Sequence, residues 1–243
     1  MLVAVASVKG APGVTRLAMT LTALWPHGAS ATLVETDAVG GTIAGRFGLA
    51  ASPSLTTLAA AMFPAAQDVR IGEHTQQLPS GLPVVVAPAD AAGVQATVLD
   101  LAATGGLLEQ VAADSETVVV LDCGRLDVRR LSPVVTVANE FLLVVRPVPE
   151  EIGLLGVAIK SLQKAESRVR LVLRGGGYTA GEMSRTLGVE VAGRLPEAPE
   201  AGLLARSRRN AYARSVQQIA LSITDRVRQS AAAVVEPEPE AVA

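Results

Sequence analysis

Val8-Lys9-Gly10-Ala11-Pro12-Gly13-Val14-Thr15-Arg16 stands between an apolar, β-branched run, Leu2 to Val8, and an apolar segment with helical spacing, Thr15 to Trp25. A strand, a glycine-bearing turn and a helix start are the ingredients of a phosphate cradle. Gly10 and Gly13 let backbone N–H groups turn inward, the helix N-terminus supplies the positive end of its dipole, and the Thr15 hydroxyl is placed to ligate Mg²⁺. Such a loop alone serves equally as an ordinary strand-to-helix turn, so its meaning depends on the rest of the chain.

Runs rich in β-branched residues recur at Ala31 to Glu35, Pro83 to Ala87, Thr117 to Asp122, Phe141 to Arg146, Val169 to Arg174 and Glu190 to Leu195. Each reads as a buried strand. Between them, Ala91 to Ala113, Glu150 to Ala165, Thr179 to Leu187 and Gly202 to Gln229 carry helical spacing and small residues. The alternation predicts an α/β fold: a three-layer, doubly wound, mostly parallel sheet with helices on both faces. Composition agrees. Of the 243 residues 49% are hydrophobic but only 2% aromatic, so Ala, Val and Leu must fill the core, which argues against an all-β sandwich. No repeat or Ser/Gly-rich linker divides the chain, and a single domain over residues 1–230 is expected. From Ala231 the sequence AAAVVEPEPEAVA alternates Pro with Glu, and 231–243 reads as a disordered acidic tail.

The formal charge of −2 provides no global basic field for nucleic acid or anionic lipid. One cysteine, Cys123, rules out an internal disulfide or a multi-cysteine zinc site, and His27 and His74 are too few for a metal centre. The opening residues lack the basic and long apolar regions of a signal peptide, and no apolar run reaches the ~18 residues of a membrane span, so a cytoplasmic protein is expected. Cys123 reads as a packing residue, and both histidines as surface residues.

The loop resembles the deviant Walker A box of the MinD/ParA family of P-loop ATPases, whose pattern runs Lys-Gly-Gly-x-Gly-Lys-Thr. Lys9 matches the family's signature lysine, Gly10 and Gly13 match glycines, and Thr15 matches the magnesium ligand. Val34-Glu35-Thr36-Asp37 with Gly40-Gly41 is similar to the second strand and switch I, and Val118 to Asp122 with Cys123-Gly124 to the Walker B-like strand and switch II. Val145-Arg146-Pro147, Pro149-Glu150-Glu151 and Gly193-Arg194-Leu195-Pro196-Glu197 resemble later strand ends and helix starts. The resemblance implies ATP and Mg²⁺ as cofactors, held by Lys9, Gly10, Ala11, Pro12, Gly13, Val14, Thr15 and Arg16. It implies Asp37 and Lys9 as catalytic residues, Asp37 helping to position the attacking water, and Thr15, Asp37 and Asp122 as the metal site.

The sequence also departs from that pattern. Val14 replaces the loop's second lysine, and a cation about 4 Å from a phosphate charge is worth on the order of 4 kcal/mol at an effective dielectric of roughly 20, before desolvation. Ala11 and Pro12 stiffen the loop, and Pro12 removes an N–H. Glu35 replaces the usual first aspartate of switch I, and Arg174-Gly175 stands where members often carry an adenine-reading asparagine. Three readings follow: Arg16 folds back to replace the missing charge; the site is a relic on a binding module; or Lys9 alone, reaching across a dimer, supplies the cation.

The resemblance thus implies a homodimeric positioning or assembly factor with weak or absent ATP hydrolysis, serving partitioning or the localisation of pilus or secretion machinery through a protein partner. Its alternative is a nucleotide-independent dimeric scaffold, a pseudo-ATPase. A nucleotide-dependent synthetase of the same superfamily is a third reading, without a second catalytic constellation to support it. Arg206, Arg208, Arg209, Arg214, Arg226 and Arg228 on the last helix read either as a solvated face or as a non-specific DNA contact. The acidic tail offers no stable membrane anchor.

Overall fold

The structure, a computed structural model, describes residues 1–10, 13–62, 69–103, 105–162, 168–197 and 210–235, without the side chains of 27, 128–132 and 231–235. An eight-stranded sheet runs through the molecule in the order β3-β4-β2-β5-β1-β6-β7-β8. Its strands are β1 (Leu2–Ser7), β2 (Ala31–Glu35), β3 (Gln76–Gln77), β4 (Pro83–Val85), β5 (Val118–Arg125), β6 (Glu140–Val145), β7 (Val169–Arg174) and β8 (Val191–Leu195). All pairings are parallel except β3 with β4.

The two-residue period of a strand sorts the core into two layers. Leu2, Ala4 and Ala6 of β1 point into a cluster with α3 (Leu55–Ala61), α4 (Ala91–Leu101), α5 (Leu107–Ala113), α6 (Val128–Val137), α7 (Pro149–Ser161) and α8 (Ala180–Leu187). Val3 and Val5 point the other way, into a cluster with α1 (Val14–Ala23), α2 (Ile43–Phe47) and α9 (Ala211–Val235). The central strands are buried on both faces, which is why they read as unbroken apolar runs.

All seven expected strands form, and the differences lie elsewhere. The helix expected over 91–113 breaks in two, where Gly105 takes a φ of 73° and its N–H donates to the Glu109 carboxylate at 2.6 Å, at the start of α5. Sequence reading missed β3, α2, α3 and α6. β3 is too short and polar to show alternation, and Pro133 inside α6 reads as a breaker. The start of α3 did carry a signal: Ser54 and Thr57 form a reciprocal capping box. The last helix also extends past its expected end at Gln229 to Val235, so 231–235 is helical and not part of the tail expected from 231. Positions 236–243, with Ala11, Pro12, Arg206, Arg208 and Arg209, lie outside the described residues. No described helix is long and apolar enough to cross a membrane.

Candidate functional site

β1 ends at Ser7, and α1 begins at Val14, capped by Gly13 in the left-handed region at φ 86°. The Ser7 hydroxyl donates to the Lys9 carbonyl at 3.1 Å, while Lys9 and Gly10 are exposed. Parallel pairing of β2 with β5 sets Glu35 opposite Asp122 and brings Asp37, two residues past the end of β2, to the same edge. Ligands of open α/β sheets bind at that edge, beyond the carboxyl ends of the strands.

Three of the expected site residues converge here. The Thr15 hydroxyl, in the first turn of α1, hydrogen-bonds the Asp122 carboxyl, which also accepts the Gly124 N–H at 3.2 Å. Asp122 is 1% exposed, and burial pushes its pKa up to about 7. The two hydrogen bonds oppose that shift, and the charges of Glu35 and Asp37 add to it. Asp37 accepts the Val39 N–H at 3.1 Å, and burial raises its pKa as well. Its carboxylate lies on Gly124: a Cβ there would stand 2.0 Å from Oδ2, and φ is 57°, so only glycine fits.

The donors are hard oxygens, the chemistry Mg²⁺ prefers, but they are few. Among the described residues no three His, Cys, Asp or Glu side chains converge as a metal site. A divalent ion would take the Thr15 hydroxyl and carboxylate oxygen here and complete its shell with water and substrate phosphate, as Mg²⁺ commonly does.

The departures from the phosphate-loop pattern have structural consequences. Val14 is 6% exposed and packs in the apolar cluster of α1 and α9, so the side chain preceding Thr15 is a core residue. Arg16 extends over the Tyr212 ring of α9, its guanidinium carbon 5.3 Å from the ring centroid. Arg174, at the end of β7, brings a cation to the loop: its Nη1 lies 3.3 Å from where a Cβ would stand on Gly13. Burial pushes the Tyr212 hydroxyl up to about 12 against the opposing charges of Arg16 and Arg174.

Sequence reading took Glu35 only as a substituted aspartate. Its buried carboxylate accepts the N–H groups of Thr42 (2.6 Å), Ile43 (3.0 Å) and Ala87 (3.0 Å), binding the start of α2 and the segment after β4 to the end of β2. Gly41 makes this approach feasible, since a Cβ there would stand 2.1 Å from the Ala87 carbonyl oxygen. An acid at a strand end eight residues before a helix start was the available signal.

Cys123 is fully buried with its thiol pushed up to about 12, the environment of an inert packing residue. His74 is partly buried, Nδ1 3.0 Å from the Thr57 hydroxyl, so it belongs to the α3 cap and not to the open surface. On α9, Arg226 pairs with Glu190 and the buried Glu140, whereas Arg214 and Arg228 are exposed. At the amino ends of the strands, opposite the loop, Met1, Trp25, Asp114, Arg168 and Arg226 help line a cavity of about 680 Å³ that no sequence motif indicated.

Neither a family model nor a curated protein matches the sequence. Solved structures do match the fold. A ParA family ATPase from Chlorobium tepidum TLS superposes with a TM-score of 0.71 at 17% identity, over 90% of this chain and 97% of that one. The septum site-determining protein MinD of Pyrococcus horikoshii OT3, complexed with Mg-ADP, superposes at 0.69 and 16% identity, over 91% and 95% of the two chains. Cobyrinic acid a,c-diamide synthase from Mycobacterium smegmatis, with a bound ATP analog and magnesium, superposes at 0.64 and 18% identity, over 94% and 96%.

Proposed function

With a MinD/ParA-like fold as premise, we propose that this chain is a positioning or assembly factor that binds ATP with Mg²⁺ weakly at the loop 9–15 and hydrolyses it slowly or not at all. The observation that carries the reading is the Thr15 hydroxyl on the buried Asp122 carboxyl, with Asp37 beside it, at the mouth of α1. In this reading Thr15 and Asp122 hold Mg²⁺, with Asp37 near enough to contribute. Backbone N–H groups of the loop, those of Gly10 and Gly13 among the described residues, cradle the phosphates, and Asp37 orients the attacking water. Lys9 reaches the nucleotide of a partner subunit, which makes the working unit a homodimer. Bound Mg²⁺ would neutralise phosphate charge. With Val14 turned into the core, the loop itself adds no cation where charge redistributes during transfer, which keeps turnover low. The protein partner belongs to a partitioning, pilus or secretion system. The exposed Arg214 and Arg228 supply any non-specific DNA contact.

Titration calorimetry with ATP, in Mg²⁺ and in EDTA, tests the reading. Binding that needs Mg²⁺ and falls in Thr15→Ala supports it; no heat at millimolar ATP sinks it. The second reading, a nucleotide-independent dimeric scaffold, is favoured by the use of Val14 as core and of Glu35 as a clamp. It predicts a dimer whose mass ATP does not change.

A further inference from the structure

We infer that Arg174 is the phosphate-binding cation of this site, delivered from the end of β7 in place of a lysine within the loop. The inference rests on the nucleotide reading above and adds a residue which that reading does not require.

β7 pairs with β6 and β6 with β1, so Arg174 starts two strands, about 10 Å, from the strand that feeds the loop. Its guanidinium nevertheless arrives at Gly13, the residue from which α1 begins: Nη1 is 3.3 Å from the Cβ that any other residue would carry there. The other described side chains at the loop are placed differently. Val14 lies in the core, and the Arg16 guanidinium is stacked over Tyr212. Lys9 is exposed, and in the reading above it serves the partner's nucleotide.

The chemistry of the group favours phosphate over a base edge. A guanidinium offers only donors, in a planar fork that matches two phosphate oxygens, and it stays charged at every working pH. It has no acceptor for a base amino group. An anion bound at this point would meet both the guanidinium and the positive end of α1. The ligand class is therefore the polyphosphate chain of a nucleoside triphosphate, gripped at this point through its charge and not through its base.

The test uses the full chain, with Mg·ATP and Mg·tripolyphosphate as probes. Wild type should bind ATP, and tripolyphosphate should displace it. Arg174→Gln should lower ATP affinity about tenfold or more, the loss expected for a charge-assisted hydrogen bond, and Arg174→Lys should recover part of it. The ATP-induced rise in thermal midpoint should shrink in Arg174→Gln in proportion. That readout separates ligand binding from packing, because a purely structural residue would lower the ligand-free midpoint and leave the rise intact. If wild type binds ATP and both variants match its affinity, or tripolyphosphate fails to compete, the Arg174 assignment is overturned while the nucleotide reading survives. If wild type binds no ATP, both fall.

Discussion

Asp122 carries a proton to an unusually high pH, and that has a sign. Its ordinary pKa of 3.8 rises to about 7 on folding, so between those values the folded state holds a proton that the unfolded chain has lost. Stability then falls as pH rises through that window, by up to on the order of 4 kcal/mol from this one group. Asp122→Asn, which keeps the volume and an acceptor for Thr15, should raise the thermal midpoint at pH 8 and change it little at pH 4. An equal shift at both values would mean that Asp122 is not the titrating group. Val14 poses the opposite problem. Val14→Lys places an ammonium where 6% exposure leaves little water, so the ligand-free protein should lose about 1–3 kcal/mol by denaturant melts. If the loop still cradles phosphate, the variant should regain stability with Mg·ATP more steeply than wild type. An unchanged response would mean that Val14 does not limit nucleotide binding. Neither environment could be read from the sequence: an aspartate ending an apolar strand and a valine opening a helix are ordinary until three-dimensional neighbours fix their burial.

Among the elements, the sheet was legible and the loops that equip it were not. Central strands announce themselves because burial on both faces demands continuous Val and Leu. From the order of strands and loops, Asp37 and Asp122 could be expected at neighbouring strand ends. Contacts across the sheet, such as Arg174 on Gly13 or Glu35 on Ala87, join residues far apart in sequence and leave no local pattern. The Glu35 clamp makes a testable claim about α2 and the loop before it. Glu35→Ala removes the acceptor of three buried or half-buried N–H groups, which should cost about 1–3 kcal/mol and speed hydrogen exchange at Thr42, Ile43 and Ala87 while leaving β6 and β7 protected. Uniform loss of protection would show that the clamp is not local. At the opposite edge, Arg170 of β7 bonds the buried Glu140 of β6, and Arg226 of α9 joins the pair, anchoring the last helix to the sheet. Glu140→Ala removes the buried counter-charge of Arg170, leaving it the exposed Glu190 at 3.6 Å and the Ser222 hydroxyl, and should cost up to about 3 kcal/mol, most of it recovered in the double variant Glu140→Leu, Arg170→Met. If the double variant is no more stable than the single one, the pair contributes more than charge compensation.

For the molecule as a whole, the question is what the exposed edge of the sheet is for. Around the loop the described surface presents Lys9 and Gly10, and among the described residues it exposes the large apolar side chains Val39, at 71%, and Tyr178, at 43%. Val39 stands two residues after Asp37 in the turn that the Gln95 amide holds through the Ala38 carbonyl, and Tyr178 is tied by its N–H to Pro147 after β6. A lysine reaching out from the site and apolar groups flanking it suit contact with a second copy of the same face. Two-fold symmetry would then set each Lys9 against the partner's loop. Static light scattering on the full chain, with and without Mg·ATP, should give twice the monomer mass in at least one condition. The two readings of the function divide on which variants undo it. If nucleotide drives association, Lys9→Ala should return the protein to monomer in ATP, because only the lysine senses the partner's phosphate. If the dimer is constitutive, Lys9→Ala should leave it whole. Val39→Glu introduces like charges face to face in either case and should split both kinds of dimer. A protein that stays monomeric at every accessible concentration, with and without ATP, leaves Lys9 no phosphate to reach and removes the basis of the trans-acting lysine.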